Sequence, residues 1–322
     1  MIIVGNQMKV SILIPVYGVE RFIAECAQSL MEQTYHDIEF IFVNDCTRDH
    51  SIEVLREVID QYPERKSQVT IIEHEENKGL AGARITGLNA SSGDAVLIVD
   101  SDDYVSPKAV ELLVNAMQST NVDVVDGGYA IVTNGKTLVY KPLHVSHERY
   151  LKTILCQNVE PNRIWGRLIK KSLFVEHDIC FTQGVDYGED FSVLPRLLAF
   201  ASRAWVDECL YYYRDDNPNS YTNNISTKNA VSFLKSQQIV GEFFAGNEQW
   251  RRYRTATEIG WVNVWRFARR YSIDTQIVDE NFSLVPSYAI TRFLTTIMKS
   301  LLPYGIVNGL YLAARRLYLM FA

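Results

Sequence analysis

Between residues 10 and 127 the chain alternates short apolar runs with amphipathic stretches, and this alternation limits the fold more than any other feature. A strand buried on both faces reads as a continuous apolar run, and the crossover to a parallel neighbour is usually a helix. The pattern predicts strands at residues 10–16, 38–43, 69–73, 95–99 and 122–126. Helices are expected at about 20–32, 51–61, 79–90 and 107–119, the last capped by Ser106 with Pro107 in its first turn. Elements in this order give a doubly wound, mostly parallel α/β sheet.

After Gly128 the alternation gives way to polar, aromatic-rich segments, and from about Lys228 the pattern is helical. Three stretches are therefore expected: residues 1–130, a smaller mixed region at 131–227 of the same domain, and a helical region at 228–322. With no internal repeat and no low-complexity linker, the two halves are expected to share one core.

Bulk properties remove several function classes. Hydrophobic residues make up 47% of the 322 positions, enough for a sizeable core. The net charge of -6 argues against nucleic acid as a partner, since such proteins carry a basic footprint. The five cysteines are scattered and form no CxxC pair, which fits a reducing, cytoplasmic compartment without a disulfide framework or zinc site. The start MIIVGNQMKV does not read as a secretory signal, and no later run has the roughly 18 to 20 apolar residues of a spanning helix.

In open α/β sheets ligands bind beyond the carboxyl ends of the strands, so polar residues at those ends carry the functional information. The first strand closes on Pro15, Val16 and Tyr17, the second runs into Asn44 and Asp45, and the fourth runs into Asp100, Ser101, Asp102 and Asp103. Three carboxylates within four residues repel one another unless a cation offsets them. A hard divalent ion, Mg²⁺ or Mn²⁺, is the natural partner, because it takes one or two carboxylates together with waters and substrate phosphates. The other reading of the cluster is an acidic turn that opens the next helix. Asp45 adds a carboxylate at a neighbouring strand end, where helix capping is an equal alternative.

VSILIPVYGVERFIAECAQSLMEQTYHDIEFIFVNDCTRD and ENKGLAGARITGLNASSGDAVLIVDSDDYVSP resemble, in order and spacing, the nucleotide-binding half of family 2 glycosyltransferases. The resemblance implies a GT-A fold and transfer of a sugar from a nucleoside diphosphate sugar, a UDP-sugar above all, to an acceptor hydroxyl. It puts Pro15, Val16 and Tyr17 along the base and ribose, with Asp45 on the uracil ring nitrogen and Arg84 near the base and phosphates. Asp100 would hold the ribose and Asp102 the metal, with Asp100 beside it. Such an ion would neutralise charge on the departing diphosphate. Asn44 and Cys46 stand where the family more often has Asp and Gly, which weakens the preference for uridine.

The second half carries a fainter set. In VDYGEDFSVLPRLL, Glu189 and Asp190 resemble the acidic motif that supplies the general base of inverting members, and Asp190 is the preferred base. Both acids would equally suit a helix N-terminus. RIWGRLIKKSLF resembles a segment of bacterial polysaccharide members in which Trp165 would pack on a sugar; burial in the core is the alternative. Tyr213, Arg214 and Ser220 in YYYRDDNPNSYT resemble a loop that closes on the diphosphate. QWRRY is similar to the QxxRW signature of processive synthases, but those enzymes have spanning helices, so single addition is the expectation.

From Leu284 onward the sequence has Arg292, Lys299, Arg315 and Arg316, no acid, and many Leu, Ile, Tyr and Phe. That composition suits an amphipathic helix on the inner face of an anionic membrane, where a lipid-linked glycan acceptor would be met. A C-terminal helix packed on the domain is the alternative. A dehydrogenase is disfavoured because PVYGVE, not GxGxxG, follows the first strand. A nucleotidyltransferase and a non-catalytic membrane adaptor with a degenerate fold remain as competing readings.

Overall fold

The computed structural model describes residues 8–157, 162–217, 225–300 and 302–321. They form two compact units that interleave along the chain. The first comprises Met1–His144, Ile164–Gly184 and Phe200–Ser220; the second comprises Val145–Arg163, Val185–Ala199 and Tyr221–Ala322.

The first unit is built on a sheet of nine strands among the described residues, in the order β3-β2-β1-β4-β8-β6-β9-β5, with β7 paired to β6. Four strands run parallel: β1 (Val10–Val16), β2 (Ile38–Asn44), β3 (Val69–Glu73) and β4 (Ala95–Ile98). All seven residues of β1 are buried, which is why it reads as an unbroken apolar run. Helices α1 (Ile23–Met31), α2 (Ser51–Ile59) and α3 (Gly79–Ala90) lie between these strands in the chain. The short β5 (Tyr104–Val105) and α4 (Ala109–Thr120) follow.

The sheet continues as a mixed one. The hairpin β6 (Val124–Thr133) and β7 (Lys136–Tyr140) is antiparallel; β8 (Arg167–Lys170) is antiparallel to both β4 and β6, and β9 (Arg203–Arg214) is parallel to β6. Helix α6 (Lys171–Glu176) follows β8.

Two local expectations need correction. The strand expected at 122–126 runs on to Thr133, because Gly127 and Gly128 form a bulge against β9 and do not end it. A Cβ on Gly128 would stand 2.6 Å from the Glu208 carbonyl oxygen, so only glycine allows that approach. Ser106 does not cap α4: the helix begins at Ala109, and the Val110 N–H is instead met by the Gln33 side-chain oxygen at 3.1 Å. A side chain distant in sequence has replaced the local cap.

The second unit is helical in its described residues. Its helices are α5 (His147–Leu155), α7 (Glu189–Phe200, of which the last residue belongs to the first unit), α8 (Thr227–Ala245), α9 (Arg254–Arg270), α10 (Thr275–Asn281), α11 (Ala289–Lys299) and α12 (Tyr304–Phe321). The helical pattern expected from about Lys228 is present.

Candidate active site

In the first unit the carboxyl ends of β1, β2 and β4 lie side by side. Val16 is in register with Asn44, and the Asp45 and Val99 N–H groups bond to β1 carbonyls at 3.0 and 3.1 Å. The side chains of Pro15 and Val16 are buried, whereas Tyr17 is 51% exposed and presents its ring at the strand end.

Asp45 is buried. Its Oδ1 accepts from His74 Nδ1 at 2.7 Å and from the Lys78 N–H at 2.7 Å, and its Oδ2 accepts from the Gly79 N–H at 2.9 Å. His74 Nε2 meets the Thr86 hydroxyl at 2.8 Å. Asp45 thus anchors the start of α3, not that of α2, the helix after its own loop, which was the alternative to base contact. Beside it Cys46 holds a φ of 61°, a left-handed conformation in which glycine is unstrained. Asn44 accepts from the Thr47 N–H at 2.9 Å and donates to Glu73.

The acid turn follows β4. Arg84, only 1% exposed, is not a solvated helix residue: its guanidinium donates to Asp100 Oδ1 at 2.8 Å and lies 5.6 Å from the Phe181 ring centroid. Asp102 is half-buried, and its Oδ2 accepts from Asn217 Nδ2 at 2.7 Å. Burial, and then the Asp100 charge, push the Asp102 carboxyl up to about 6 despite the Asn217 bond. Asp103 is buried outright, and burial with the charges of Asp102 and Asp100 raises it well above the usual range. Tyr211 Oη donates to Asp103 Oδ2 at 2.6 Å and accepts from the Asp100 N–H at 3.1 Å. The Arg214 N–H donates to Asp103 Oδ1 at 2.8 Å.

This excess of negative charge is the environment a divalent cation relieves. Among the described residues no group of three His, Cys, Asp or Glu side chains is arranged to hold a metal. An ion at Asp102 would therefore complete its shell from substrate phosphate and water, as Mg²⁺ does.

The sequence model for glycosyl transferase family 2 matches residues 11–180. The chain belongs to that family. It is similar to an uncharacterised glycosyltransferase, EpsJ, of Bacillus subtilis, at 34% identity over 66% of this chain and 62% of that protein. It is also similar to glycosyltransferase GlyA of Streptococcus pneumoniae, at 30% identity over 64% of this chain and 30% of that protein. The chain thus spans less than two thirds of the length of either relative. Its fold is that of TarS of S. aureus, residues 1–349, solved in complex with UDP-GlcNAc: TM-score 0.67, 15% identity, 91% of this chain and 87% of that one. The GT-A architecture expected from the sequence is therefore present.

The remaining family 2 candidates divide between the units. Trp165, in the first, is half-buried and stacks on Tyr211 and Tyr213, with ring centroids 4.4 and 5.4 Å apart, while Tyr129 meets it edge-on. Arg214 pairs with Glu25 and lies 5.1 Å from the Tyr104 ring centroid and 5.6 Å from that of Phe22. Ser220 lies outside the described residues.

Glu189 and Asp190 open α7 in the second unit, Glu189 buried and Asp190 half-buried. They follow Gly188, whose φ of 86° and whose missing Cβ, which would fall 2.8 Å from Ser236 Oγ, make glycine necessary there. The preceding Tyr187 N–H donates to Ser232 Oγ at 2.8 Å, pinning this segment to α8.

Sequence reasoning missed Tyr211, Asn217 and His74. The one available signal was alternation in the YYY run: on a strand it puts Tyr211 and Tyr213 on one face, where both stack on Trp165, and Tyr212 on the other, stacked on Tyr104.

Proposed function

We propose that this chain transfers a sugar from a nucleoside diphosphate sugar, a UDP-sugar, to a hydroxyl of a glycan or lipid-linked glycan acceptor during cell-surface polysaccharide synthesis. The acid turn carries the reading: Asp100 held by buried Arg84, and Asp102 half-buried in an excess of negative charge. TarS structures with UDP and with UDP-GlcNAc support the class of donor.

In this reading Tyr17 lies along the base, Arg84 orients Asp100 toward the ribose, and Asp102 with Asp100 holds Mn²⁺ or Mg²⁺. When bound, the ion supplies charge neutralisation at the departing diphosphate. Asp190 takes the proton of the acceptor hydroxyl, with Glu189 beside it, and direct displacement inverts the anomeric centre. Trp165 packs on a sugar, and Arg214, freed from Glu25, would serve the diphosphate as a planar donor.

Transfer at the inner face of a membrane is part of the proposal. No described helix is long and apolar enough to cross a bilayer. Helix α12 buries Val307 and Tyr311 but exposes Ile306, Leu310, Leu317 and Met320, which recur at helical spacing along one stripe. Such a stripe, beside exposed Arg316, suits the headgroup boundary of an anionic bilayer.

The test is product analysis with UDP-sugars and Mn²⁺. Release of nucleoside diphosphate and an inverted product by NMR are expected. Pyrophosphate release would instead indicate a nucleotidyltransferase, and no turnover together with no nucleotide binding would indicate an adaptor.

A further inference from the structure

We propose that the end of β9 is a clamp that sets the acid turn for a cation, with Tyr211 and Asn217 as positioning residues and Asp103 as their internal anchor. The inference rests on the metal-dependent reading of Asp102.

A turn carrying three carboxylates within four residues resists any single geometry, because the charges repel. Here the ties come from a segment more than 100 residues away. One hydroxyl, that of Tyr211, bonds both the Asp100 N–H at 3.1 Å and Asp103 Oδ2 at 2.6 Å, and so fixes the two ends of the turn. The Arg214 main chain occupies the other Asp103 oxygen at 2.8 Å. With both oxygens bonded and the residue 1% exposed, Asp103 is out of reach of a hydrated ion. The Asn217 amide donates to Asp102 Oδ2 at 2.7 Å, which ties this carboxylate to the segment that follows β9. Asp102, half-buried where Asp103 is buried outright, is thereby held as the carboxylate presented to an ion.

The clamp is itself held in register. Val105 and Tyr104, just past the turn, pair with Tyr211 and Tyr212 of β9. Tyr211 also stacks on Trp165, so its ring has a packing role separable from its hydroxyl.

Tyr211→Phe keeps the ring and removes only the hydroxyl. UDP affinity is measured by calorimetry on the full chain, in EDTA and in Mn²⁺. The clamp predicts unchanged affinity in EDTA and about a tenfold smaller gain on adding Mn²⁺, the size of one charge-assisted hydrogen bond. Asn217→Ala, outside the core strand, should lose a similar part of the gain and carries the test if Tyr211→Phe does not fold. Tyr211→Phe combined with Asp103→Asn should be no worse than the worse single variant, as groups joined by one bond behave. An undiminished Mn²⁺ gain in Tyr211→Phe and Asn217→Ala overturns the clamp alone. Equal losses with and without Mn²⁺ overturn it too, since they show a merely structural role. A wild type with no Mn²⁺ gain overturns the metal reading of Asp102, and the clamp with it.

Discussion

In the first unit the buried carboxylates Asp45 and Asp103 stand just beyond strand ends, held by donors from distant segments; in the second, buried polar side chains such as Glu258, Gln237 and Asn263 lie within helices and tie separate elements to one another. Glu258, in the second turn of α9, is fully buried and accepts from the Tyr288 N–H at 3.0 Å and from Thr291 Oγ1 at 2.7 Å at the start of α11, with Ser287 Oγ as a third donor. Gln157, Gln237, Asn263 and Arg266 form a chain of side-chain bonds that reaches Asn308 on α12. Glu258 has its negative charge met by donors, and its carboxyl is held down: burial pushes it up, but the Ser287, Tyr288 and Thr291 bonds outweigh that. Asp102 and Asp103 are pushed the other way. Satisfied carboxylates stabilise; incompletely compensated ones are where a cation or substrate can act.

That contrast can be broken at several points. The largest effect is expected at Asp190: Asp190→Asn should keep donor affinity and lower kcat by roughly a thousandfold, as removal of a general base does. Wild-type turnover in that variant would place the base elsewhere.

Next comes Glu258→Leu, which strands three donors and should cost about 3 kcal/mol. Melting should show the loss, while UDP binding per folded molecule stays unchanged. If UDP affinity falls in step with stability, the polar groups of the second unit are not purely structural.

Glu39 tests the same logic within the sheet. Burial pushes its carboxyl up, but bonds from Lys9, Ser11 and Ser92 hold it down at about 2. Its stabilisation is present above the unfolded value near 4.5 and is lost as pH falls toward 2. Allowing for solvent screening, Glu39→Gln should cost about 1–2 kcal/mol at pH 7 and almost nothing at pH 2. A cost that does not change with pH would remove the charge-based explanation.

The smallest effect on stability is expected on the exposed stripe of α12. Leu310→Glu with Leu317→Glu should change the melting temperature by no more than about 2 °C, since both side chains are exposed. Sedimentation with anionic vesicles should be lost. Vesicle binding equal to wild type would mean that the stripe faces something other than a bilayer.

The sequence revealed the first unit well because strand order, apolar runs and strand-end acids are local features. Residues 69–73 and 79–90 were placed at their observed bounds. It could not reveal that Gln33 meets the N-terminus of α4, or that Tyr211 holds Asp103, because those partners are distant in the chain and carry no periodic mark. Of the two C-terminal alternatives the structure shows the packed one: α12 packs through Val307 and Tyr311, and it also exposes apolar side chains.

The most direct test of the account is UDP binding to wild type and to Asp102→Ala, each with and without Mn²⁺. The account predicts that Mn²⁺ raises wild-type affinity by at least about a hundredfold, as loss of a metal ligand or its support typically would reverse. In Asp102→Ala that gain should vanish, with the melting temperature within about 2 °C of wild type. An Asp102→Ala protein that is folded and still gains the full Mn²⁺ increment would contradict the central claim.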